Sequence, residues 1–367
     1  MKKPQKQTPY LRGAAAVLAA ARVLMCGRQL APVFSWLLGK AALFTAVLDM
    51  PQGALCLLRE HYSGSLLPPD ESKPPTPPEP APPPPPDETP PPQDNPPPPV
   101  PEQYRGVIRE VTYRGEDTPA YALWHRAWIR NYTELSREEI AKALEPGGSV
   151  RASGGKKPEI LIFHTHATES FEPCDRAEFD RRSTWRDADN SRNMVAVGEV
   201  LAGGLRKAGL AVLHDSTQHD NPSYNGAYQR SRATVQKYQK ENPELRILLD
   251  LHRDAVFKGE NETVKAVTEI NGRKAAQLMV IAPYDDGTVG VPRWKENFRF
   301  AAEFTDRVEA LYPGLMRPVF FCCRTYNYAL SPGSLLFEFG TNANTLEEAK
   351  YTAELVAPVL AEYLTRP

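Results

Sequence analysis

Ile247-Leu248-Leu249-Asp250-Leu251-His252-Arg253-Asp254 is a nearly continuous apolar run that ends in ionisable residues. Short apolar runs of this kind are buried strands, and open α/β sheets build their sites where such strands end. Two other stretches repeat the pattern. One is Ile160-Leu161-Ile162-Phe163-His164-Thr165-His166-Ala167-Thr168-Glu169, and the other is Leu335-Leu336-Phe337-Glu338-Phe339-Gly340-Thr341-Asn342. Two strand ends bearing histidine and one bearing glutamate are the parts of a zinc hydrolase.

Working outward, helices alternate with these strands. Apolar spacing predicts a helix over 193–207, with Met194, Val197, Leu201 and Leu205 on one face. Further helices are expected over 224–240 and 295–312, and strands over 210–213 and 277–281. Thr345 and Glu348 form a capping box for a last helix, which Pro358 should kink. The alternation predicts one α/β domain over 151–367, with a mostly parallel central sheet flanked by helices. Residues 102–150 read as a small leading element packed on that domain. It has strands near 107–113 and 127–133 and a helix opened by the capping box Ser136 and Glu139.

Composition changes sharply upstream. Of 37 prolines, 20 fall within residues 68–101. Proline lacks a donor and fixes φ, so this tract predicts a disordered, polyproline II spacer reaching about 100 Å at ~3.1 Å per residue. Residues 1–67 begin with Lys2, Lys3, Lys6 and Arg12 and continue into an apolar region broken by Arg22, Arg28, Lys40 and Asp49. Basic residues before apolar sequence predict a membrane anchor; an interfacial amphipathic helix pair is the alternative.

With 44 basic and 45 acidic residues the net charge is −1, and the basic side chains form no stripe. That argues against nucleic-acid binding. The five cysteines show no CxxC spacing, so neither a zinc knuckle nor a redox pair is expected.

The chemistry-bearing residues follow from the strand ends. His166 and His252 are the expected zinc ligands, because neutral imidazole leaves the metal's charge free to acidify water. His164 would share a strand face with His166 and either join the metal or hydrogen-bond beside it. The third ligand should be an oxygen, from Glu169 in the same strand-end loop or from Asp189 ahead of the 193–207 helix. Glu338 lies inside an apolar strand, where an unpaired carboxylate is costly, and is the expected catalytic proton carrier. Arg253 is expected to orient a ligand, and Arg230 belongs to a polar, aromatic patch with Asp220, Tyr224, Asn225 and Tyr228 suited to substrate contact. His125, His214 and His219 read as structural or solvated.

Several stretches carry a resemblance. They are 129–133, 164–170, 193–198, 219–225, 250–254 and 336–344, in order along the folded part. On these the chain resembles the stage II sporulation protein P family, peptidoglycan hydrolases of endospore-forming bacteria. More loosely it resembles zinc-dependent N-acetylmuramoyl-L-alanine amidases. That likeness puts their metal histidines on His166 and His252, their catalytic glutamate on Glu338, and their helix-start glutamate near Asp189. The resemblance implies cleavage of the muramoyl–L-alanine amide during engulfment, with stem-peptide cross-links as a further target. It also implies a place between the mother-cell and forespore membranes and a lytic transglycosylase partner. A zinc peptidase acting only on stem peptides, or an inactive wall-binding module, are the alternatives.

Overall fold

The computed structural model describes residues 99–145 and 150–365. The expected anchor and nearly all of the expected spacer lie outside the described residues. Among the described residues no helix is long and apolar enough to cross a membrane.

The three apolar runs are adjacent inner strands of an eight-stranded sheet. In chain order the strands are β1 (Arg105–Val111), β2 (Tyr121–Trp124), β3 (Ala127–Asn131), β4 (Ile160–Phe163), β5 (Glu178–Asp180), β6 (Val212–His214), β7 (Ile247–Asp254), β8 (Glu262–Ile270), β9 (Arg273–Ala276), β10 (Leu278–Pro283), β11 (Val319–Cys322) and β12 (Gly333–Thr341). The main sheet has the order β2-β3-β11-β10-β12-β7-β4-β6, and a four-stranded sheet has the order β5-β1-β8-β9. Among the described residues the α-helices are α1 (Arg137–Leu144), α2 (Met194–Lys207), α3 (Ala227–Glu241), α4 (Trp294–Leu311) and α5 (Leu346–Thr365).

The fold is α/β, but the expectation of a mostly parallel sheet is corrected: the sheets are mixed. β12, β7, β4 and β6 run parallel, whereas β10 pairs antiparallel to β12, and β2 antiparallel to β3. The reason lies between β7 and β10. No helix returns the chain there, and only a long crossover can bring a strand back parallel. Instead β8 and β9 form an antiparallel hairpin, and β9 runs directly into β10. Asn271 and Gly272 both have positive φ at the turn of that hairpin. An Asn-Gly pair favours this geometry, so the hairpin was open to reading from the sequence. Residues 102–150 are shared between the two sheets: β1 joins β5 and β8, while β3 extends the main sheet beside β11.

Strand alternation separates two apolar layers. Ile160, Ile162, Ile247, Leu249 and Leu251 pack into the large core with α2, α4 and α5. Leu161, Phe163 and Leu248 face the other way, against Val235 of α3. Residues 250 and 252 therefore lie on the α3 side, by the two-residue period of a strand. α1 keeps its capping box, with Ser136 and Glu139 each bonded to the other's backbone. The last helix runs on through Pro358.

Candidate metal centre

The site is built where β4, β7 and β12 end on the α3 side of the sheet. β4 stops at Phe163 and the chain turns, so His164 and His166 do not share a strand face. His166 joins Glu169 and His252, and one ligand atom from each lies within 4.8 Å of the others. All three residues are buried. His166 Nδ1 lies 3.4 Å from Glu169 Oε1, and His252 Nδ1 lies 3.6 Å from Glu169 Oε2. A tetrahedral zinc shell with bonds of about 2.0–2.1 Å has ligand–ligand edges of about 3.4 Å, so the donor set and its spacing fit zinc.

Glu338 is placed beside this group by sheet register. It is the direct partner of His252 on the neighbouring parallel strand, so the two side chains share a face. Glu338 Oε2 is out of solvent and has no hydrogen-bond partner. Burial pushes its carboxyl well above the usual carboxylate range, and the charge of Asp254 adds to this. An orphaned buried oxygen of this kind is costly in a purely structural position.

Around these three residues stands a second ring of groups. His252 Nε2 lies 3.0 Å from Asp250 Oδ1, although it is not aligned for a hydrogen bond. Asp250 is held in turn by the Thr165 backbone N–H at 2.8 Å and the Thr165 hydroxyl at 2.6 Å. A carboxylate behind a ligating imidazole is the usual orienting arrangement in metal sites. Burial opposes charge on His252, but Asp250 and Glu169 together raise it well above the ordinary histidine value. Burial likewise works to raise Glu169, yet hydrogen bonds from His166 and His252 hold it well below the carboxylate range. His166 is lowered by burial. Two imidazoles around a carboxylate are a donor set that suits a divalent cation.

Aromatic rings wall the cluster. Tyr224 stacks on His166 with centroids 4.4 Å apart, and Tyr228 lies parallel to His252 at 6.3 Å. Tyr228 stacks in turn on Tyr326 at 5.1 Å.

The other expected residues are placed differently. Asp189 does not join the cluster: it is exposed, its Oδ1 accepts from the Ser191 backbone and hydroxyl, and it lies 3.5 Å from Arg192. The helix that follows is capped by Asn193, so nothing draws Asp189 inward. Arg253 is buried, and its guanidinium donates to the main-chain carbonyls of Ser170 at 2.9 Å and Trp185 at 2.8 Å. Its backbone N–H donates to Glu169 Oε2 at 3.1 Å. Arg230 donates to the carbonyls of His219, Ser223 and Asn225. Both arginines therefore fasten loops, with their donors turned to backbone rather than to an open cleft. His164 is wholly buried on the α2 side, with Nδ1 at 3.2 Å from Leu251 O and Nε2 at 2.9 Å from His214 Nε2. Burial drops its pKa to about 3. His214 is therefore not a lone residue, since its Nδ1 also lies 2.9 Å from Glu199. His219 is buried and bonded to the His164 carbonyl at 2.7 Å.

Asp250 and Arg186 were not singled out from the sequence. Asp250 had a readable signal: it alternates with His252 on a buried strand and so must share its face. Arg186 had none, because its loop carries no period.

The model of the family described as Stage II sporulation protein P (SpoIIP) matches residues 125–361, which contain every residue of the cluster and Glu338. The chain belongs to this family. A curated relative, "Stage II sporulation protein P" of Bacillus subtilis (strain 168), is 26% identical over 243 residues, which are 63% of this chain. The match spans 57% of that relative's length. Among solved structures, the N-acetylmuramyl-L-alanine amidase Ami1 from Mycobacterium smegmatis is similar at 14% identity and a TM-score of 0.31. That likeness covers 57% of this chain and 98% of Ami1. The CwlD amidase from Clostridioides difficile, solved in complex with the GerS lipoprotein, is similar at 13% identity and a TM-score of 0.31, covering 56% of this chain and 95% of CwlD. Likenesses this loose carry no weight for the site, which stands on its own geometry.

Proposed function

We propose that the chain is a zinc-dependent peptidoglycan hydrolase of sporulation that cleaves the amide between N-acetylmuramic acid and L-alanine. The observation that carries this reading is the meeting of His166, Glu169 and His252 within 4.8 Å, beside the unpartnered Oε2 of Glu338. Family membership supports the wall substrate. His166, His252 and Glu169 would hold the metal through three protein donors, which leaves a position open for substrate or water. When bound, zinc supplies Lewis acidity to the amide carbonyl and makes water nucleophilic near pH ~7. Asp250 keeps His252 turned toward the cluster. Glu338 takes a proton from the attacking water as the new C–O bond forms and delivers it to the nitrogen as the C–N bond breaks. Its raised pKa brings it toward the range in which a carboxyl can both accept and donate.

The rest of the reading concerns setting. Residues 1–67 would anchor the protein in a membrane, and 68–101 would let the hydrolase reach wall at a distance, in the space between mother cell and forespore during engulfment. A lytic transglycosylase that cuts the glycan strands is the fitting partner, because amide cleavage alone leaves those strands whole.

The test is digestion of purified sacculi by the full chain, with and without a zinc chelator, followed by mass spectrometry. Release of sugar-free stem peptides with an L-alanine amino terminus, abolished by chelator, is the expected result. Cleaved cross-links with sugar still attached would identify a peptidase instead, and undiminished cleavage under chelation would refute the metal.

A further inference from the structure

Arg186 occupies a place that the proposed chemistry does not use. It lines a cleft of about 350 Å³ next to the cluster, with Thr168, Asp220, Asn221 and Tyr224. Its Nη1 donates to Asp220 at 2.7 Å and its Nη2 lies 3.5 Å from Glu169 Oε1. Its carbon Cζ stands 5.1 Å over the Tyr224 ring. Among the described residues Nε makes no hydrogen bond, so part of the guanidinium fork faces the cleft.

The acidic groups nearby already have partners. Asp220 accepts from the Thr168 backbone and hydroxyl as well as from Arg186. Asp187 is bonded to Arg192 at 2.9 Å, and Glu169 is held by the two imidazoles. Arg186 Nη1 also donates to the Thr168 hydroxyl at 3.4 Å, which leaves Nε as the donor without an acceptor among these groups.

The backbone that presents Arg186 is unusual. Trp185 sits at φ 45, a left-handed conformation that a bulky side chain adopts only when its surroundings enforce it. Its carbonyl, its indole N–H and its ring are all held. The Trp185 carbonyl accepts from Ser170 N–H at 3.0 Å and from the buried Arg253 at 2.8 Å. The indole donates to Glu172 at 2.7 Å, and the ring packs against Phe179 and Phe257. Arg186 itself forms a β-bridge with Glu169.

We propose that Arg186 anchors a carboxylate subsite beside the metal centre, which binds the free α-carboxylate of the substrate's stem peptide. The proposal rests on the hydrolase reading above. An L-alanyl-γ-D-glutamyl peptide carries that carboxylate on the residue next to the alanine whose nitrogen is cut, a few bonds from the scissile amide, and Arg186 stands at the edge of the cluster, 3.5 Å from Glu169. A planar fork suits a carboxylate through paired N–H donors.

The experiment is calorimetric binding of L-alanyl-γ-D-glutamate and of its α-carboxamide to the zinc-loaded full chain, neither of which contains the scissile bond. Wild type should bind the carboxylate about 10- to 100-fold more tightly than the amide, as a charge-assisted hydrogen bond implies. Arg186→Gln should abolish this preference, and Arg186→Lys should keep part of it, with bound zinc unchanged in both. Equal loss for both peptides together with loss of zinc would mean that Arg186 only positions Glu169, and would overturn the subsite. So would equal binding of both peptides by wild type, or an undiminished preference in Arg186→Gln. Sacculus digestion separates the two readings: a preference without hydrolysis fails the amidase reading alone, and hydrolysis without a preference fails the subsite alone.

Discussion

Helix α2 contains three glycines, Gly198, Gly203 and Gly204, and their replacement by alanine should have opposite effects. In a helix interior alanine is favoured over glycine by about 1 kcal/mol. At Gly203 an added Cβ meets nothing within 4 Å, so Gly203→Ala should stabilise the protein by about that amount. At Gly198 the same Cβ would lie 2.6 Å from His164 Cε1, His164 Nε2 and His214 Nε2. Ordinary contact requires those rings to retreat by about 1 Å, and they have nowhere to go. His164 is tied to Leu251 O and His214, and His214 to Glu199. Overpacking of this sort costs about 1–3 kcal/mol, and loss of a buried imidazole hydrogen bond adds about 1–3 kcal/mol. After the helix gain, Gly198→Ala should destabilise by about 3 kcal/mol. Gly204→Ala falls between, because its Cβ would lie 2.5 Å from the Ala357 Cβ of α5, a methyl that cannot rotate away. Urea unfolding of the full chain, followed by far-ultraviolet circular dichroism, reads these differences as midpoint shifts at constant slope. A Gly198→Ala protein as stable as Gly203→Ala would refute the packing of the two imidazoles against α2.

Glu338→Gln should keep stoichiometric zinc while muropeptide release from sacculi falls by about 10²- to 10⁴-fold, the usual worth of a positioned proton carrier; undiminished release would remove Glu338 from the mechanism. Asp250→Asn should weaken zinc binding by about 10- to 100-fold, whereas Asp189→Ala should leave it unchanged; competitive chelator titration measures both. The depressed pKa of His164, about 3 in the folded protein, gives a signed pH effect. The unfolded chain takes up a proton below its pKa of about 6.5 that the folded chain refuses until about 3, so stability is full above that range and falls as pH drops through it. Between about pH 7.5 and 5 the loss from this group is about 2 kcal/mol. His164→Gln should flatten that part of the urea-midpoint profile, and an unchanged profile would show that His164 is not desolvated.

What the sequence revealed and what it hid follow from the range of the interactions involved. β4, β7 and β12 were legible because a buried strand writes its environment into four or more consecutive residues. The helix starts at Ser136 and Asn193 were legible because caps are local. The direction of β10 was missed, since it depends on the β8–β9 hairpin, whose Asn271-Gly272 turn was its one local signal, and the buried Lys265 interrupts the apolar reading of β8. Choosing between Glu169 and Asp189 required knowing where β4 stops. Had the strand continued past Phe163, His164 would have pointed with His166 into one site. Because it ends there, the first imidazole turns to α2 and the second to α3.

That divergence explains how one short segment serves both stability and chemistry. His164 is wholly buried and kept neutral by desolvation, and its carbonyl receives His219, which ties the 219–225 loop to the strand end. Two residues later His166 faces the opposite layer, where Tyr224 from that same loop stacks on it. The loop wall is therefore positioned from the histidine that stands outside the cluster. On the next strands the logic is reversed. His252 and Glu338 are paired across β7 and β12 by register, so a slip of either strand by one residue would turn its member of the pair away from the α3 side. His252 and Glu338 are thus locked to each other by backbone hydrogen bonds rather than by side-chain contact. Such a lock leaves Glu338 Oε2 free of partners without leaving it free to move.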